Sequence, residues 1–286
     1  MIQSVAVIYN HRIEEAVSLS QQLQTVLKDA GKDVWLVQAR DLDRPGLTPP
    51  PLDLLLTLGG DGTILRAARL AAPQNALVLG VNMGQLGFLA ELGPADIVAQ
   101  IPTIVSGGGW IEERMMVRAV VRSSGRSNGL PSTPIDGVND VIVTRGARPR
   151  AVRVGVNVDG QHLQTYVADG VLVCSPTGST AYALAMDGPI VHPELRALQI
   201  TPIAPHLTVI RSIVVPASAT IDLTIHTKEP AMASVDGQID VPLADEATIQ
   251  VTASPYVARF LRLQARSYFY QTLVSRLSTS IVRGLL

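Results

Sequence analysis

A single carboxylate, Asp61, lies in the glycine-rich stretch 59–63 (GGDGT). Glycines leave the backbone open to a phosphate or a sugar, and the first amides of a following helix can bind an anion. A carboxylate in such a turn can hold Mg²⁺ against phosphates, or accept a proton from a hydroxyl that attacks phosphorus. The stretch therefore predicts phosphoryl chemistry, although an Asp that caps a helix would give the same local pattern.

The flanking residues place this turn between a strand and a helix. Residues 54–58 are nearly all apolar, which fits a strand covered on both faces. From Thr63 the apolar residues recur at helical spacing: Ile64, Leu65, Ala68, Leu70 and Ala71. The turn has neither the G-x-G-x-x-G spacing of dinucleotide-binding folds nor the G-x-x-x-x-G-K-[ST] pattern of P-loops, so those two nucleotide motifs are excluded.

A second group of polar residues lies further along the chain. Asn139 and Asp140 stand inside an apolar run, where buried polar side chains need partners, and Asp169 stands at a strand entry. Residues 175–182 (SPTGSTAY) read as a strand end, a hydroxyl-rich turn and a helix start, which can hold polar ligand groups. Each stretch also has a structural interpretation: turn chemistry for 139–140, a helix cap for Ser179 and a core position for Tyr182.

The first part of the chain predicts an α/β domain over residues 1–106. Strands at 4–9, 33–37, 54–58 and 76–81 alternate with helices at 12–30, from Thr63 and from Pro94. This alternation predicts a Rossmann-like parallel sheet with crossover helices. Ligands collect at the carboxyl ends of such strands, where the GGDGT turn would lie.

Residues 107–264 predict an all-β, sandwich-like domain with Greek-key connections, because short β-rich runs and turn signals follow one another closely. The strand candidates include 207–215, 233–239, 247–253 and 257–263, and one helix interrupts them from Ser179 to about Met186. Residues 265–286 predict a final helix that packs back on the first domain.

Composition narrows the class of protein. The 286 residues carry a net charge of −1 and only 16% are charged, so no global field would recruit nucleic acid or an anionic membrane. No apolar run approaches the roughly 20 residues of a membrane-spanning helix. The single cysteine, Cys174, cannot form an intrachain disulfide, the start of the chain lacks signal-peptide features, and we expect a cytoplasmic protein with Cys174 buried.

The order of the motifs resembles the NAD kinase family, which phosphorylates NAD to NADP. The similar stretches are 59–63, 84–89, 113–114, 139–140, 169–170, 175–182, 188–189 with 192–193, and 236–238. The GGDGT turn alone is also similar to turns in diacylglycerol and sphingosine kinases and in phosphofructokinases. The SPTGSTAY run is far more specific.

The resemblance implies a role for each matching residue. Asp61 would face the 2′-hydroxyl of the adenosine ribose as proton acceptor, Asp169 would lie toward the nicotinamide, and residues 180–185 would line the adenine pocket. The implied NAD contacts are Asp61, Gly62, Arg66, Asn139, Asp140, Arg150, Asp169, Thr180, Ala181, Tyr182, Ala183, Leu184, Ala185, Ala204 and Gln238. No residue is predicted as a metal ligand of its own.

The resemblance also implies the other participants. These are ATP or another phosphate donor, Mg²⁺ or another divalent cation bound with it, and a homodimer or homotetramer in which a neighbouring subunit helps to complete the pocket. Few lysines lie near the motifs, so metal and backbone amides would have to neutralise much of the phosphate charge.

Four positions depart from the family pattern. Asp140 replaces the usual Glu, Val167 stands where many members have Arg, Asp187 replaces a Gly, and Ser175 replaces Thr. The shorter Asp140 puts a ribose contact in doubt, and Val167 puts a charge contact in doubt.

Two other functions stay open from the sequence. One is a lipid or sugar-phosphate kinase of similar fold, which would need an apolar or phosphate-binding acceptor pocket. The other is a non-catalytic NAD-binding sensor, which would tolerate the loss of Asp61.

Overall fold

The computed structural model describes residues 2–44, 46–84, 87–122, 133–146, 151–206, 211–227 and 230–275. The first helices and strands are β1 Ser4–Tyr9, α1 Glu14–Asp29, β2 Asp33–Gln38, β3 Leu54–Gly59, α2 Asp61–Ala71, β4 Leu77–Asn82, α3 Ile97–Val105 and β5 Trp110–Arg122. The others are β6 Ile135–Gly137, β7 Asp140–Arg145, β8 Val152–Val158, β9 Gln161–Ala168, β10 Gly170–Cys174, α4 Tyr182–Ala185, β11 Ala197–Ile203, β12 Ile213–Pro216, β13 Ile221–His226, β14 Ala231–Val235, β15 Ile239–Leu243 and β16 Thr248–Arg262.

The chain divides into two compact units. Unit 1 contains the described residues of Met1–Glu113 and Ala258–Leu286, and unit 2 contains those of Arg114–Val257. The strands β5 and β16 each contain residues of both units.

Unit 1 is built on a parallel sheet with the strand order β2–β1–β3–β4–β16. Every residue of β3 is buried, as the apolar run predicts for a strand covered on both faces. The predicted α/β fold with a parallel sheet is confirmed. Because β3 is central, the turn that follows it lies between the segments that follow β1 and β4.

Unit 2 is a β-sandwich. One sheet has six antiparallel strands in the order β12–β11–β10–β7–β14–β15. The other contains the antiparallel neighbours β9, β8, β13 and the first part of β16. Side chains of both sheets, among them Val143, Val171, Ile221 and Ile249, share one buried core, so the sandwich-like class is confirmed.

The sequence wrongly predicted where two stretches of strand are divided. The segments predicted as 247–253 and 257–263 form one strand, β16, since Pro255 fits an extended backbone and the Tyr256 amide donates to the Ser254 hydroxyl at 3.0 Å. The segment predicted as 233–239 divides into β14 and β15, because Asp236 and Gly237 take positive φ angles of 54° and 62° and form a hairpin turn.

Strand β11 was missed because buried polar residues interrupt its apolar pattern. Gln199 and Thr201 are 1% and 0% exposed, and the Gln199 amide donates to the Thr201 hydroxyl at 3.0 Å. This bond gives a partner to the Gln199 side-chain nitrogen, whereas its side-chain oxygen has none among the described residues. Of the segment predicted as 207–215, residues 207–210 lie outside the described residues. The strand that the structure shows in this segment is β12, which begins at Ile213.

The helices near residues 94, 180 and 270 also differ from the predictions in their bounds. The helix predicted from Pro94 begins at Ile97. The helix predicted from Ser179 is a 3₁₀ turn, Thr177–Thr180, followed by the single turn α4, because the backbone at Ala181 (φ −99°, ψ −125°) interrupts the helix. Residues 268–275 are helical, with Tyr268 buried in unit 1, whereas residues 265–267 are not helical and residues 276–286 lie outside the described residues. Over the described part of the chain, no helix has both the length and the apolar character needed to cross a membrane.

A buried charge network joins β16 to the segment after β4 within unit 1. The Arg262 side chain is fully buried and lies 2.7 Å from Glu112 and 3.1 Å from Glu91. Its guanidinium also donates to the carbonyl of Leu89 at 3.0 Å, and the Tyr268 ring lies 4.7 Å from it. The Glu91 carboxylate accepts from the amides of residues 263 and 264 at 2.7 and 2.6 Å. These bonds fix the segment that ends at Glu91.

The first prediction concerns this network. Arg262→Met is expected to lower the free energy of unfolding by about 3–5 kcal/mol, because Glu91 and Glu112 would remain buried without a cation. Urea unfolding followed by circular dichroism measures the change. The control is Arg44→Met, since Arg44 is 67% exposed beside Asp41 and the loss of such a pair should cost at most about 1 kcal/mol. Similar losses in the two variants would contradict a special role for Arg262.

Candidate functional site

The GGDGT turn joins the end of β3 to the start of α2. Gly59 ends the strand, Gly60 occupies the N-cap position with an extended backbone, and Asp61 is the first helical residue. The helix therefore has no side-chain cap, and Asp61 is not its N-cap. Since the capping position is already filled by a glycine, the helix-cap interpretation of Asp61 does not hold.

The Asp61 carboxylate lies against the segment that follows β4. The Phe88 amide donates to Oδ2 at a long 3.4 Å, whereas Oδ1 is buried and has no partner among the described residues. Buried polar oxygens normally have a hydrogen-bond partner, so this unpartnered oxygen makes Asp61 a candidate functional group. This oxygen could accept a hydrogen bond from a hydroxyl.

Gly87 allows this close approach. A Cβ atom at residue 87 would lie 1.9 Å from Asp61 Oδ1, well inside any allowed contact. Only a glycine therefore fits here without moving the carboxylate or the segment. Of the 84–89 motif, Gln85 and Leu86 lie outside the described residues.

Arg66, one turn further along α2, faces a different cavity of unit 1. Its Nε lies 2.6 Å from Asp43 Oδ2. The cavity, of about 260 Å³, is called the arginine pocket here, and its lining residues are Asn10, His11, Arg12, Ala39, Arg40, Thr63 and Arg66. Sequence reasoning missed Arg12 and Arg40, whose positions after β1 and β2 carry no local motif.

In unit 2, Asp236 holds the segment that carries Asn139 and Asp140. Its carboxylate accepts from the amides of Val138, Asn139 and Asp140 at 2.9, 2.8 and 3.2 Å. The same residue lies in the turn that carries Gln238. The sequence indicates only an Asp-Gly turn at residue 236, because a turn signal does not show what the carboxylate binds.

The SPTGSTAY run packs on the same segment. The Ser175 hydroxyl donates to the Val138 carbonyl at 2.6 Å, and its amide donates to the Asn139 carbonyl at 2.8 Å. A Cβ atom at Gly178 would lie 2.2 Å from the Asn139 carbonyl oxygen. The structure thus brings together residues 138–140, 175–180 and 236–238, which lie far apart in the sequence.

Asp140 is a buried acid, 4% exposed. Loss of solvent raises its pKa to about 7, and the nearby charge of Asp236 acts in the same direction. Opposite it in the sheet, Cys174 is fully buried, and this burial together with Asp140 raises the pKa of the thiol. Asp140 therefore changes its charge near neutral pH.

A second cavity, of about 520 Å³, lies within unit 2. It is lined by Ala185, Asp187, Ala204, Arg211 and neighbouring residues, so two of the predicted contacts, Ala185 and Ala204, share one cavity. The unusual Asp187 also faces this space. Tyr182 is 43% exposed and not part of this lining.

Asp169 has a partner that the sequence did not reveal. Arg145, the last residue of β7, donates from Nε to Asp169 Oδ1 at 2.9 Å. A guanidinium therefore lies next to Asp169 even though residue 167 is Val. Arg145 and Asp169 come together only through the pairing of β7 with β10.

The other predicted positions differ in their exposure. Gly62 and Ala185 are exposed, Thr180, Ala181, Leu184 and Gln238 are half-buried, and Ala183 is fully buried. Arg150 lies outside the described residues. Over the described part of the chain, no group of three or more His, Cys, Asp or Glu side chains could hold a metal ion.

Comparison with known proteins identifies the family. The ATP-NAD kinase N-terminal domain model matches residues 48–109, and the ATP-NAD kinase C-terminal domain model matches residues 138–263. The NAD kinase of Chloroflexus aurantiacus is 41% identical over 281 residues, covering 98% of this chain and 100% of that protein. The NAD kinase of Dehalococcoides mccartyi is 34% identical over 277 residues, covering 97% and 96%.

Solved structures show the same fold. Yeast NADH kinase complexed with NADH aligns with a TM-score of 0.76 and 24% identity, covering 94% of this chain and 86% of that one. An NAD kinase from Archaeoglobus fulgidus in complex with ATP aligns with a TM-score of 0.73 and 24% identity, covering 94% and 96%. The resemblance found in the motifs is confirmed, and the chain belongs to the NAD kinase family.

Proposed function

We propose that this protein transfers the terminal phosphoryl group of ATP to the 2′-hydroxyl of the adenosine ribose of NAD, which gives NADP. Its family membership supports this activity. The observation that carries the proposal is the buried Asp61 oxygen without a partner among the described residues, which lies in the turn between β3 and α2.

Asp61 acts on the attacking hydroxyl. The ribose oxygen forms a bond to the terminal phosphorus while the bond from that phosphorus to the leaving ADP oxygen breaks, and the hydroxyl proton passes to the Asp61 carboxylate. Phosphoryl transfer goes through a loose transition state, so the main task of the protein is to align the nucleophile and stabilise charge. A carboxylate at a helix N-terminus is a weak base but a well-placed acceptor.

Unit 2 supplies the proposed contacts to the nucleoside groups of NAD. Asn139 and Asp140 bind hydroxyl and base edges, Asp169 lies toward the nicotinamide, and the exposed ring of Tyr182 offers a face or edge to the adenine. Asp236 supports the first two residues by holding their backbone amides. Arg145 adds a positive charge next to Asp169.

The donor is proposed to bind together with Mg²⁺ or another divalent cation. Its ligands would be phosphate oxygens of the donor, which are hard oxygen ligands, because Asp61 Oδ1 is assigned to the attacking hydroxyl. When bound, the ion neutralises charge on the transferred phosphoryl group. We further propose a cytoplasmic homodimer or homotetramer, as the family resemblance implies.

The family matches do not favour the two alternative functions. A lipid or sugar-phosphate kinase needs a different acceptor pocket, and a sensor needs no Asp61. Incubation of the purified protein with NAD, ATP and Mg²⁺ separates the three, because only the proposed activity forms NADP. Transfer to a lipid or a sugar phosphate with none to NAD would refute the proposal.

The second prediction tests the role of Asp61 as the proton acceptor. Asp61→Asn keeps the size of the side chain but cannot accept the proton, so kcat for NADP formation is expected to fall by at least about 100-fold, the lower end of general-base effects. NAD affinity, measured by calorimetry, should change little. If the Asp61→Asn variant kept the turnover of the parent, Asp61 would not be the proton acceptor.

The third prediction concerns the approach of Gly87 to Asp61. Gly87→Ala places a Cβ atom where Asp61 Oδ1 lies, and a displacement of about 1 Å can lower turnover by about 100-fold. Gly84→Ala is the matched control, because a Cβ atom at residue 84 meets no heavy atom of the described residues within 4 Å. Steady-state kinetics of both variants measures the difference, and equal kcat values would count against the tight fit.

The fourth prediction concerns pH. If the Asp140 carboxylate accepts hydrogen bonds from NAD, binding favours its ionised form, and below its pKa of about 7 a proton must leave first. NAD affinity should therefore rise by about 10-fold between pH 6 and pH 8. Calorimetry across this range measures it, with Asp140→Asn as the control that cannot ionise. A parent protein with affinity independent of pH would contradict the role of Asp140.

A further inference from the structure

The arginine pocket lies at the carboxyl ends of the unit 1 strands. Asn10, His11 and Arg12 directly follow β1, and Arg40 lies just after β2. Thr63 and Arg66 come from the first turns of α2. Segments that are far apart in the sequence meet here because parallel strands bring their carboxyl ends to the same edge.

The pocket is strongly positive. Its lining contains three arginines and a histidine and no acidic residue. Two acids lie next to it: Asp43 pairs with Arg66 and with Arg69, and Asp41 pairs with Arg40 at 3.6 Å and with Arg44 at 3.0 Å. Each acid is thus shared by two arginines, and Arg12 has no ion-pair partner among the described residues.

Its size suits phosphate groups better than a nucleoside. The volume is about 260 Å³, below the roughly 300–1,000 Å³ of pockets for drug-sized ligands. It is equivalent to about eight or nine water molecules in the liquid. Guanidinium groups bind phosphate oxygens through two parallel hydrogen bonds, which favours a polyphosphate over a simple carboxylate ligand.

In the strand order β2–β1–β3–β4, the segments after β1 and β2 that line the pocket and the segment after β4 that contacts Asp61 lie on opposite sides of β3. The glycines between them expose backbone at the start of α2. A phosphate chain with its reacting end at Asp61 can therefore extend across Gly60 and Gly62 toward the arginines.

We propose that the arginine pocket binds the phosphate chain of the donor, in the strand order on the opposite side of β3 from the segment that contacts Asp61. This inference rests on the proposed kinase function. Arg66 then contacts the phosphates of the donor rather than NAD. Arg12 and Arg40 are further residues that bind the donor. These arginines supply the positive charge that the few lysines near the motifs do not.

The fifth prediction tests this pocket with inorganic tripolyphosphate, which carries the phosphate chain without a nucleoside. Calorimetry should detect its binding to the parent protein in the absence of NAD. Arg12→Ala and Arg40→Ala should each weaken this binding by about 10-fold or more, as expected for a charged hydrogen bond to a phosphate. Both side chains are exposed, so both variants should fold, which circular dichroism checks.

The matched control is Arg153→Ala, which removes an exposed arginine from β8 in unit 2. It should bind tripolyphosphate as the parent does. In kinetic assays, the Arg12 and Arg40 variants should show a raised KM for ATP and an unchanged KM for NAD. Tripolyphosphate affinity equal to that of the parent, or a KM effect on NAD alone, would overturn the proposal.

The results also separate this inference from the kinase function. Normal NADP formation with unchanged donor KM in both variants would reject the pocket and keep the function. Tripolyphosphate binding that depends on both arginines, without any NADP formation, would keep the pocket as a polyphosphate site and reject the kinase function.

Discussion

The close contact between Gly87 and Asp61 is the constraint on which the proposed active site depends. It leaves one carboxylate oxygen buried without a partner among the described residues. The segment that carries Gly87 is held next to Asp61 by contacts with other parts of unit 1. Buried Arg262 and Glu91 join its far end to β16, so buried charges of unit 1 fix the segment that contacts Asp61, the proposed proton acceptor.

In unit 2, a hydrogen-bond network likewise fixes a segment that carries proposed binding residues, and here the group that fixes it is the Asp236 carboxylate. The Asp236 carboxylate binds three consecutive amides and so fixes the segment that carries Asn139 and Asp140. Its negative charge also raises the pKa of Asp140, after the larger effect of burial. In both units a residue outside the predicted contacts thus determines how a predicted residue is presented, and in unit 2 it also affects the charge of that residue.

The sequence predicts those helices, strands and turns that depend on a local pattern of residues. The apolar run before Gly59 and the helical spacing after Thr63 defined the strand–turn–helix unit, because both periodicities are local. It missed β11, where buried Gln199 donates to buried Thr201, and it divided β16 at Pro255. It also missed the arginine pocket and the Arg145–Asp169 pair, because these residues meet only through the order and register of strands.

The most direct test of the account is the position of the ribose hydroxyl relative to Asp61. A crystal structure of this protein with NAD bound would measure the distance between Asp61 Oδ1 and the 2′-oxygen of the adenosine ribose. We predict a hydrogen-bond distance of about 2.6–3.2 Å, as required of a group that accepts the proton. A well-ordered dinucleotide whose 2′-oxygen lies far from Asp61, with another side chain in contact with that oxygen, would contradict the account.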